Sequence, residues 1–335
     1  MSMSELHKPE WYGECAIISD KYNDYVQIKY KCNGTGTLYD YSLFPGINLI
    51  FMDFNCSDTF HEPIPNKNII EIRHYQKGRV EFELRNNKVF HMKEGEFCIN
   101  ALANVPAAYS FPFGNSVGLS CVIDKDSVDS ETQQLFSYYN IDVLNLGREL
   151  ELEKKWFLCR TPQRLLHIFD ELYAAKGSEG RDYFRIKLLE LFYHIKQLRI
   201  EDQYEAPYYS KEQIEIIKRI RHKLIENLDK KISIEELLQR EPMSKVTFQA
   251  IFKQIYGDTP YAHIKNYKMN LAAVYLQETD QSITQIAGEL GYSNISKFAR
   301  AFQAVFGLLP KDYRKAKKRI NFWAVFVVYL FLRSS

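Results

Sequence analysis

The sequence lacks the short signatures of the common nucleotide-binding and hydrolytic sites. It contains no G-x-x-x-x-G-K-S/T, no G-x-S-x-G and no G-x-G-x-x-G, which excludes the simplest phosphate-binding, hydrolase and dinucleotide-binding interpretations. It also has no H-x-H pair, and His61, His74 and His91 are isolated along the chain. Because a metal site needs several ligands that converge on one ion, we expect no metal ligands, no cofactor and no catalytic residues.

Cysteine pairs and long apolar runs are also missing. The six cysteines are scattered, with no C-x-x-C, and no secretory leader opens the chain, so we expect a reduced, cytoplasmic protein. Phe322–Leu332 is a run of eleven apolar residues, shorter than the about 20 that a membrane span requires. The hydrophobic tail, residues 320–335, is a β-prone contact segment, a membrane-surface anchor or a terminus with no selected role.

Positive charge is concentrated in the C-terminal third of the 335 residues. Residues 211–319 carry 20 Lys and Arg against 12 Asp and Glu, whereas residues 1–210 carry 23 against 30. This distribution favours a polyanion as the partner of the C-terminal module, with an ordinary solvated surface as the alternative.

Residues 1–125 have the alternation and turn signals of β-strands. RVEFEL at Arg79–Leu84 alternates polar and apolar residues, Lys88–Met92 returns after a turn, and Glu96–Asn100 follows a second turn. We expect an all-β barrel or sandwich. Its many Tyr and Phe residues are more typical of a core than of a pocket, so no effector-binding residues are assigned.

From about residue 126 the pattern becomes helical. Arg181–Arg199 carries an apolar stripe, and residues 160–175 carry a similar one. This helical connector, residues 126–205, packs either on the β domain or on a second copy of itself as a homodimer. A polar linker then ends at Ser210, where S-K-E-Q predicts a capping box and a new helix, Lys211–Leu228.

Residues 206–319 contain an internal repeat. FQAIFKQIYGDTP, which begins at Phe248, matches FARAFQAVFGLLP, which begins at Phe298, in the phase of its apolar residues. Each copy starts with an S-x-x-E/Q capping box, at Ser233 and at Ser282. Each copy is therefore predicted to be a short helix, a turn and a longer helix, which is the outline of a helix-turn-helix.

The expected fold class is α+β, with an N-terminal β-rich barrel or sandwich, a helical connector and a C-terminal all-α tandem helix-turn-helix. The corresponding ranges are 1–125, 126–205 and 206–319, followed by the tail at 320–335.

The second helix of such a motif enters the DNA major groove while its apolar face packs on the first helix. In the second copy the apolar stripe is expected at Phe298, Ala301, Phe302, Val305 and Phe306. The candidate DNA-contacting residues are Lys245, Val246, Thr247, Gln249, Ala250 and Lys253 in the first copy and Ile295, Ser296, Lys297, Arg300, Gln303 and Arg314 in the second. Arg and Gln suit hydrogen bonding to guanine and adenine, Val, Ala and Ile can touch only a thymine methyl group, and lysines at the helix sides suit phosphates.

The segment GYSNISKFARAFQAVFGLLPKDYR, Gly291–Arg314, resembles the signature of the AraC/XylS family of bacterial transcription regulators. The residues that fit the family pattern are Ile286, Ala287, Gly291, Tyr292, Ser296, Phe298, Phe302, Gly307, Pro310, Tyr313 and Arg314. The resemblance covers about residues 213–316. It implies two helix-turn-helix subdomains, joined by a linking helix at Tyr261–Gln277, that bind double-stranded promoter or operator DNA.

The run IEIRHYQKGRVEFELRNNKVFHMKEGEFCIN, Ile70–Asn100, resembles the β-rich domain of many such regulators. That resemblance implies a cupin-like domain that senses a small-molecule effector of unknown identity and contributes to dimerisation. RNA polymerase is the further partner expected if the protein is an activator.

The first copy departs from the family pattern. Leu238 occupies the place of a small Ala, Glu241 lies at a usually apolar site, and Pro242 replaces the turn Gly, while Lys268 replaces the usual Arg of the linking helix. Proline cannot adopt the positive φ that a turn glycine supplies, so this turn must be built differently. Its second helix is also poor in donors, and we expect the second copy to dominate sequence discrimination.

Two other functional classes remain at this stage. One is a cupin-type small-molecule-binding protein or metal enzyme with an accessory helical domain. The other is a structural or protein-binding role, which predicts no salt-sensitive affinity for DNA.

Overall fold

The computed structural model describes residues 12, 15–61, 68–101, 106–152, 155–204, 207–230 and 232–316. The chain divides into two compact units, residues 1–208 and 209–335. The hydrophobic tail expected at 320–335 lies outside the described residues.

Two antiparallel sheets form the framework of the first unit. Its strands are β1 (Ala16–Lys21), β2 (Val26–Tyr30), β3 (Gly34–Phe44), β4 (Ile47–Cys56), β5 (Thr59–His61), β6 (Ile69–Gly78), β7 (Val80–Glu83), β8 (Lys88–Met92), β9 (Glu96–Ala101), β10 (Ala108–Ser110), β11 (Asn115–Asp124) and β12 (Phe157–Arg160). The larger sheet has the order β1-β2-β3-β4-β11-β6-β9-β12. In the smaller sheet β8, β7, β10 and β5 lie side by side. The predicted β-rich N-terminal domain is confirmed, and its two packed sheets form a sandwich, one of the two forms considered.

The predicted hairpin forms, but its third strand leaves the smaller sheet. Strands β7 and β8 pair from Val80 opposite Met92 to Glu83 opposite Val89. Strand β9 begins at Glu96 as predicted, yet it pairs with β6 in the larger sheet. The chain therefore crosses between sheets at the β8–β9 turn.

In the central strands of the larger sheet, successive side chains point to opposite sides, and both sides are buried. Ile50 and Phe54 of β4 face the smaller sheet, where Phe54 packs on Phe60 of β5 at 5.2 Å between ring centroids. Leu49 and Phe51 of the same strand face a layer of helices on the other side.

That helical layer is formed by α1 (Ser130–Tyr138), α2 (Gln163–Ala175) and α3 (Arg181–Ile195), with short 3-10 turns at Val143–Asn145, Arg148–Leu150 and Ile200–Asp202. The predicted apolar stripe of α3 is fully buried at Phe184, Leu188, Leu191, Phe192 and Ile195. Phe184 packs on Tyr41 of β3 and Phe51 of β4, at 4.8 and 5.6 Å between ring centroids. The stripe therefore packs on the β domain of its own chain, the first of the two arrangements considered, and the expected connector belongs to the first unit.

The described part of the second unit is helical. After a two-residue strand, Tyr209–Ser210, its helices are α4 (Lys211–Glu226), α5 (Ile234–Leu238), α6 (Lys245–Tyr256), α7 (Pro260–Glu278), α8 (Ile283–Glu289), α9 (Ile295–Phe306) and α10 (Pro310–Ala316). The predicted capping box of α4 is present, since Ser210 Oγ accepts from Gln213 N at 3.1 Å and Gln213 Oε1 accepts from Ser210 N at 3.0 Å. Helix α7 has 19 residues, about 28 Å at 1.5 Å per residue, and is the predicted linking helix. No helix within the described ranges is long and apolar enough to cross a membrane.

His74 of β6 is buried between the larger sheet and the helical layer. Its ring stacks on Phe169 of α2 at 4.2 Å between centroids, and its Nδ1 lies 3.1 Å from the Tyr173 hydroxyl. Its Nε2 has no hydrogen-bond partner in the described structure. Burial lowers the pKa of His74 from 6.5 to about 4, because a buried imidazolium would be poorly solvated.

We predict that this histidine makes the first unit acid-sensitive. Below pH 6.5 the imidazole of the unfolded chain binds a proton, whereas that of the folded chain stays neutral down to about pH 4. The free energy of unfolding therefore decreases as the pH is lowered from 6.5 to about 4. At about 1.4 kcal/mol per pH unit, the loss through this group is about 3 kcal/mol. Urea unfolding of the full chain at pH 7, 6, 5 and 4 should show a shallower pH dependence for His74→Asn.

The control is Tyr173→Phe, which removes the hydroxyl beside His74 and leaves the titrating ring in place. It should lower stability at every pH and keep the wild-type slope. Equal slopes in His74→Asn and wild type would contradict the assignment.

Candidate nucleic-acid interface

Each helix-turn-helix copy begins with the predicted capping box. In copy one, α5–α6, Ser233 Oγ accepts from Glu236 N at 3.1 Å and Glu236 Oε2 accepts from Ser233 N at 3.4 Å. In copy two, α8–α9, Ser282 Oγ accepts from Gln285 N at 3.2 Å and Gln285 Oε1 accepts from Ser282 N at 2.8 Å. These reciprocal bonds satisfy backbone donors that the first turn leaves free.

The candidate recognition helices, α6 and α9, begin and end alike. Ser244 caps α6 and Asn294 caps α9, each by accepting a hydrogen bond at 3.1 Å from the backbone N–H three residues on. Each helix ends at a glycine with positive φ, Gly257 at 85° and Gly307 at 73°. Because other L residues avoid this conformation, the glycines end both helices after the same number of residues.

One face of each candidate recognition helix is fixed by a pair of phenylalanines. Phe248 and Phe252 of α6 and Phe298 and Phe302 of α9 are fully buried. The pair on α9 belongs to an apolar cluster with residues of α7 and α8. Because each pair is spaced i, i+4, it holds one side of its helix inward and leaves the opposite side toward solvent.

The predicted apolar stripe of α9 is wrong at one position in its last turn. Val305 is 41% exposed. In the last turn it is Phe306 that is covered, by Tyr313 of α10 at 5.2 Å between ring centroids.

The outward faces carry nearly all of the predicted DNA-contacting residues. On α6 the exposed residues are Lys245, Val246, Ala250 and Lys253, and the half-buried ones are Thr247 and Gln249. On α9 the exposed residues are Ile295, Ser296, Lys297, Arg300 and Gln303. Both helices therefore present a side to solvent from which base edges could be reached.

Arg314 is placed differently from the other candidates. Its Nε donates to the Leu276 carbonyl at 3.2 Å and its Nη2 donates to the Gln281 carbonyl at 2.7 Å. These bonds attach α10 to the C-terminal turn of α7 and to the loop before α8. We therefore assign Arg314 a structural role in the second copy.

The turn of copy one contains no glycine, and an ion pair connects it to α4. The Arg219 guanidinium of α4 forms two hydrogen bonds with the Glu241 carboxylate, at 3.1 and 2.7 Å. Donation from Arg219 lowers the pKa of the Glu241 carboxyl. Sequence reasoning marked Glu241 as unusual but missed its partner, although a carboxylate at an apolar site signals a cation on a neighbouring helix.

The turn of copy two depends on Gly291. Its φ is 75°, and a Cβ there would lie 2.5 Å from the Leu228 carbonyl oxygen. Tyr292 follows, and the Lys268 ammonium of α7 lies 5.7 Å from the centre of its ring. This replacement of the family's usual Arg therefore packs on the second turn, and its partial burial lowers the pKa of Lys268.

In the part of the chain that the structure describes, no group of three or more His, Cys, Asp or Glu side chains could hold a metal ion. His91 is instead paired with Glu81, whose Oε2 lies 3.0 Å from His91 Nε2.

Sequence comparison places a family match on this second unit. A family model described as a helix-turn-helix domain matches residues 237–316. The regulatory protein SoxS of Salmonella typhimurium is 31% identical over 100 residues, which are 30% of this chain and 94% of SoxS. The XylDLEGF operon transcriptional activator of Pseudomonas putida is 33% identical over 99 residues, 28% of this chain and 31% of the activator. The transcriptional regulator AlkR of Acinetobacter baylyi is 33% identical over 87 residues, and the match spans only 28% of AlkR's length.

Solved structures of similar proteins include ToxT from Vibrio cholerae, at 11% identity and a TM-score of 0.33, over 81% of this chain and 97% of that one. The DNA-binding domain of AdpA in complex with a target DNA is 24% identical with a TM-score of 0.29, over 30% of this chain and 92% of that one. Because both TM-scores are below 0.5, the family of this chain is identified from its sequence relatives.

The second unit thus contains a tandem helix-turn-helix, with two capped copies and a linking helix. The match to SoxS covers nearly the whole of that protein. The chain belongs to the AraC/XylS family of transcriptional regulators.

We predict that copy two tolerates alanine at Gly288 but not at Gly291. Gly291→Ala should lower the free energy of unfolding by more than about 2 kcal/mol, since it combines a disfavoured φ with a backbone clash. Gly288→Ala is the matched control, because its Cβ would meet nothing within 4 Å, and alanine in a helix should stabilise by up to about 1 kcal/mol. Urea unfolding of both variants tests this, and similar effects at the two positions would contradict it.

Proposed function

We propose that the protein is a sequence-specific DNA-binding transcriptional regulator, in which α6 and α9 read adjacent major grooves. The observation that carries the proposal is the duplicated geometry: each helix buries a phenylalanine pair and exposes the opposite face, at the same position in both copies. The excess of Lys and Arg over residues 211–319 supplies the charge that phosphate contacts require. The spacing that α7 provides, about 28 Å along its axis, is compatible with grooves one DNA turn apart.

Within this proposal the two helices have different chemistry. Arg300 and Gln303 of α9 are exposed and can form bidentate hydrogen bonds with guanine and adenine respectively. Ser296 and Lys297 in the first turn of α9 are exposed as well. Lys253 lies further along α6, where an ammonium suits a phosphate.

We also propose that the first unit binds a small-molecule effector, and the interior of its β-sandwich supports this. On the inner face of the larger sheet, Glu71 pairs with Arg73 at 2.7 Å and accepts from Ser120 Oγ at 2.5 Å. Asn100, opposite Glu71 in the sheet, is fully buried, and neither polar atom of its side chain has a hydrogen-bond partner in the described structure. Leaving such an amide unpaired costs about 1–3 kcal/mol per group, and a polar small molecule bound beside it would offset that cost.

The DNA-binding proposal is tested by gel shift at two salt concentrations. We expect affinity to fall steeply between 50 and 200 mM salt, with a slope of log K against log salt near −0.9 for each phosphate contacted. Affinity that is absent, or independent of salt, would favour the structural or protein-binding alternative.

Selection from random DNA with and without a metabolite mixture tests whether an effector changes DNA binding. Asn100→Leu should remove any effector dependence without removing DNA binding.

We predict that Arg300→Ala relaxes discrimination at one base pair by about 1–3 kcal/mol, because it removes a bidentate contact to guanine. The measurement compares affinities for the selected site, for single-base variants of it and for random DNA. Lys253→Ala is the control, and it should weaken binding to all of these about equally and reduce the salt slope by about one contact. Equal losses on selected and random DNA for Arg300→Ala would defeat the assignment.

A further inference from the structure

The first turn of α6 has its polar groups already engaged. Lys245 Nζ forms an ion pair with Glu235 of α5. The Thr247 hydroxyl lies 2.8 Å from the Ser244 hydroxyl, within the N-terminal cap. Two of the polar side chains predicted to meet DNA from this helix therefore have partners inside the protein.

Two of the side chains that remain on the outward face are apolar and exposed. Val246 is 78% exposed, and Ala250, one helical turn further on, is exposed beside it. Gln249, between them in sequence, is half-buried. Valine is a poor helix former and gains nothing for folding at an exposed position, so its place on this face is unexplained by stability.

Copy two has polar residues at the matching positions. With the spacing of 50 residues that relates Phe248 to Phe298, Val246 corresponds to Ser296 and Ala250 to Arg300. Both are exposed. The duplicated helices thus present an apolar stripe in one copy and a hydrogen-bonding stripe in the other.

The major groove offers one apolar group at its base edges, the C5 methyl of thymine. We propose that α6 reads this methyl group through Val246, with Ala250 keeping the adjacent surface apolar, while α9 reads by hydrogen bonds. This inference rests on the proposed DNA-binding function and adds the chemistry of the site read by copy one: a thymine where α6 lies.

The test replaces each thymine of the selected DNA site, one at a time, with deoxyuridine, which lacks only the methyl group. At one position or two adjacent positions we expect wild-type affinity to fall about threefold to fivefold, as for one apolar group no longer buried. In Val246→Ala the same replacement should have no effect, and in Val246→Thr, which keeps one methyl, the effect should be reduced. Arg300→Ala should keep the full effect, because it lies on the other helix.

Unchanged melting temperatures of the variants at exposed Val246 would show that folding is intact. The inference is overturned if no deoxyuridine lowers affinity, if the loss persists in Val246→Ala, or if it also disappears in Arg300→Ala. Failure of the wild-type protein to bind any DNA would instead defeat the proposed function itself.

Discussion

The burial of two phenylalanines on each candidate recognition helix is the constraint on which the second unit depends. Phe248 and Phe252 on α6, and Phe298 and Phe302 on α9, are removed from water completely. Burying a side chain of this size stabilises by about 1.5–3 kcal/mol relative to leaving it exposed, so rotation of either helix about its axis is strongly opposed. The direction of the outward face is thereby fixed by the burial of the opposite face.

In the first unit the corresponding constraint is the alternation of the larger sheet. One set of side chains packs against the helical layer and is almost wholly apolar. The other set faces the smaller sheet and includes Glu71, Arg73, Asn100 and Ser120. A fold that needed only stability would replace Asn100 by an apolar residue, since the unpaired polar atoms of its side chain are costly in a low-dielectric interior.

The features that the sequence predicted correctly are those that depend on residues close together along the chain. The capping boxes at Ser233 and Ser282, the β7–β8 hairpin and the buried stripe of α3 all depend on residues a few positions apart, and the sequence contains those residues. The exchange of β9 between sheets depends on pairing with β6, more than twenty positions earlier, which no local pattern specifies. For the candidate site, the outward faces followed from the 3.6-residue period, whereas the internal bonds of Arg314 and the exposure of Val305 depend on how α10 packs.

The two turns of the tandem motif are stabilised in different ways. The turn of copy two depends on Gly291 alone, which adopts a backbone conformation that other residues disfavour. Copy one uses an ion pair between Arg219 of α4 and Glu241 in the turn, 22 positions apart along the chain. A single substitution at Gly291 can therefore disrupt the turn of copy two. In copy one, loss of the half-exposed ion pair removes one weak contact between α4 and the turn.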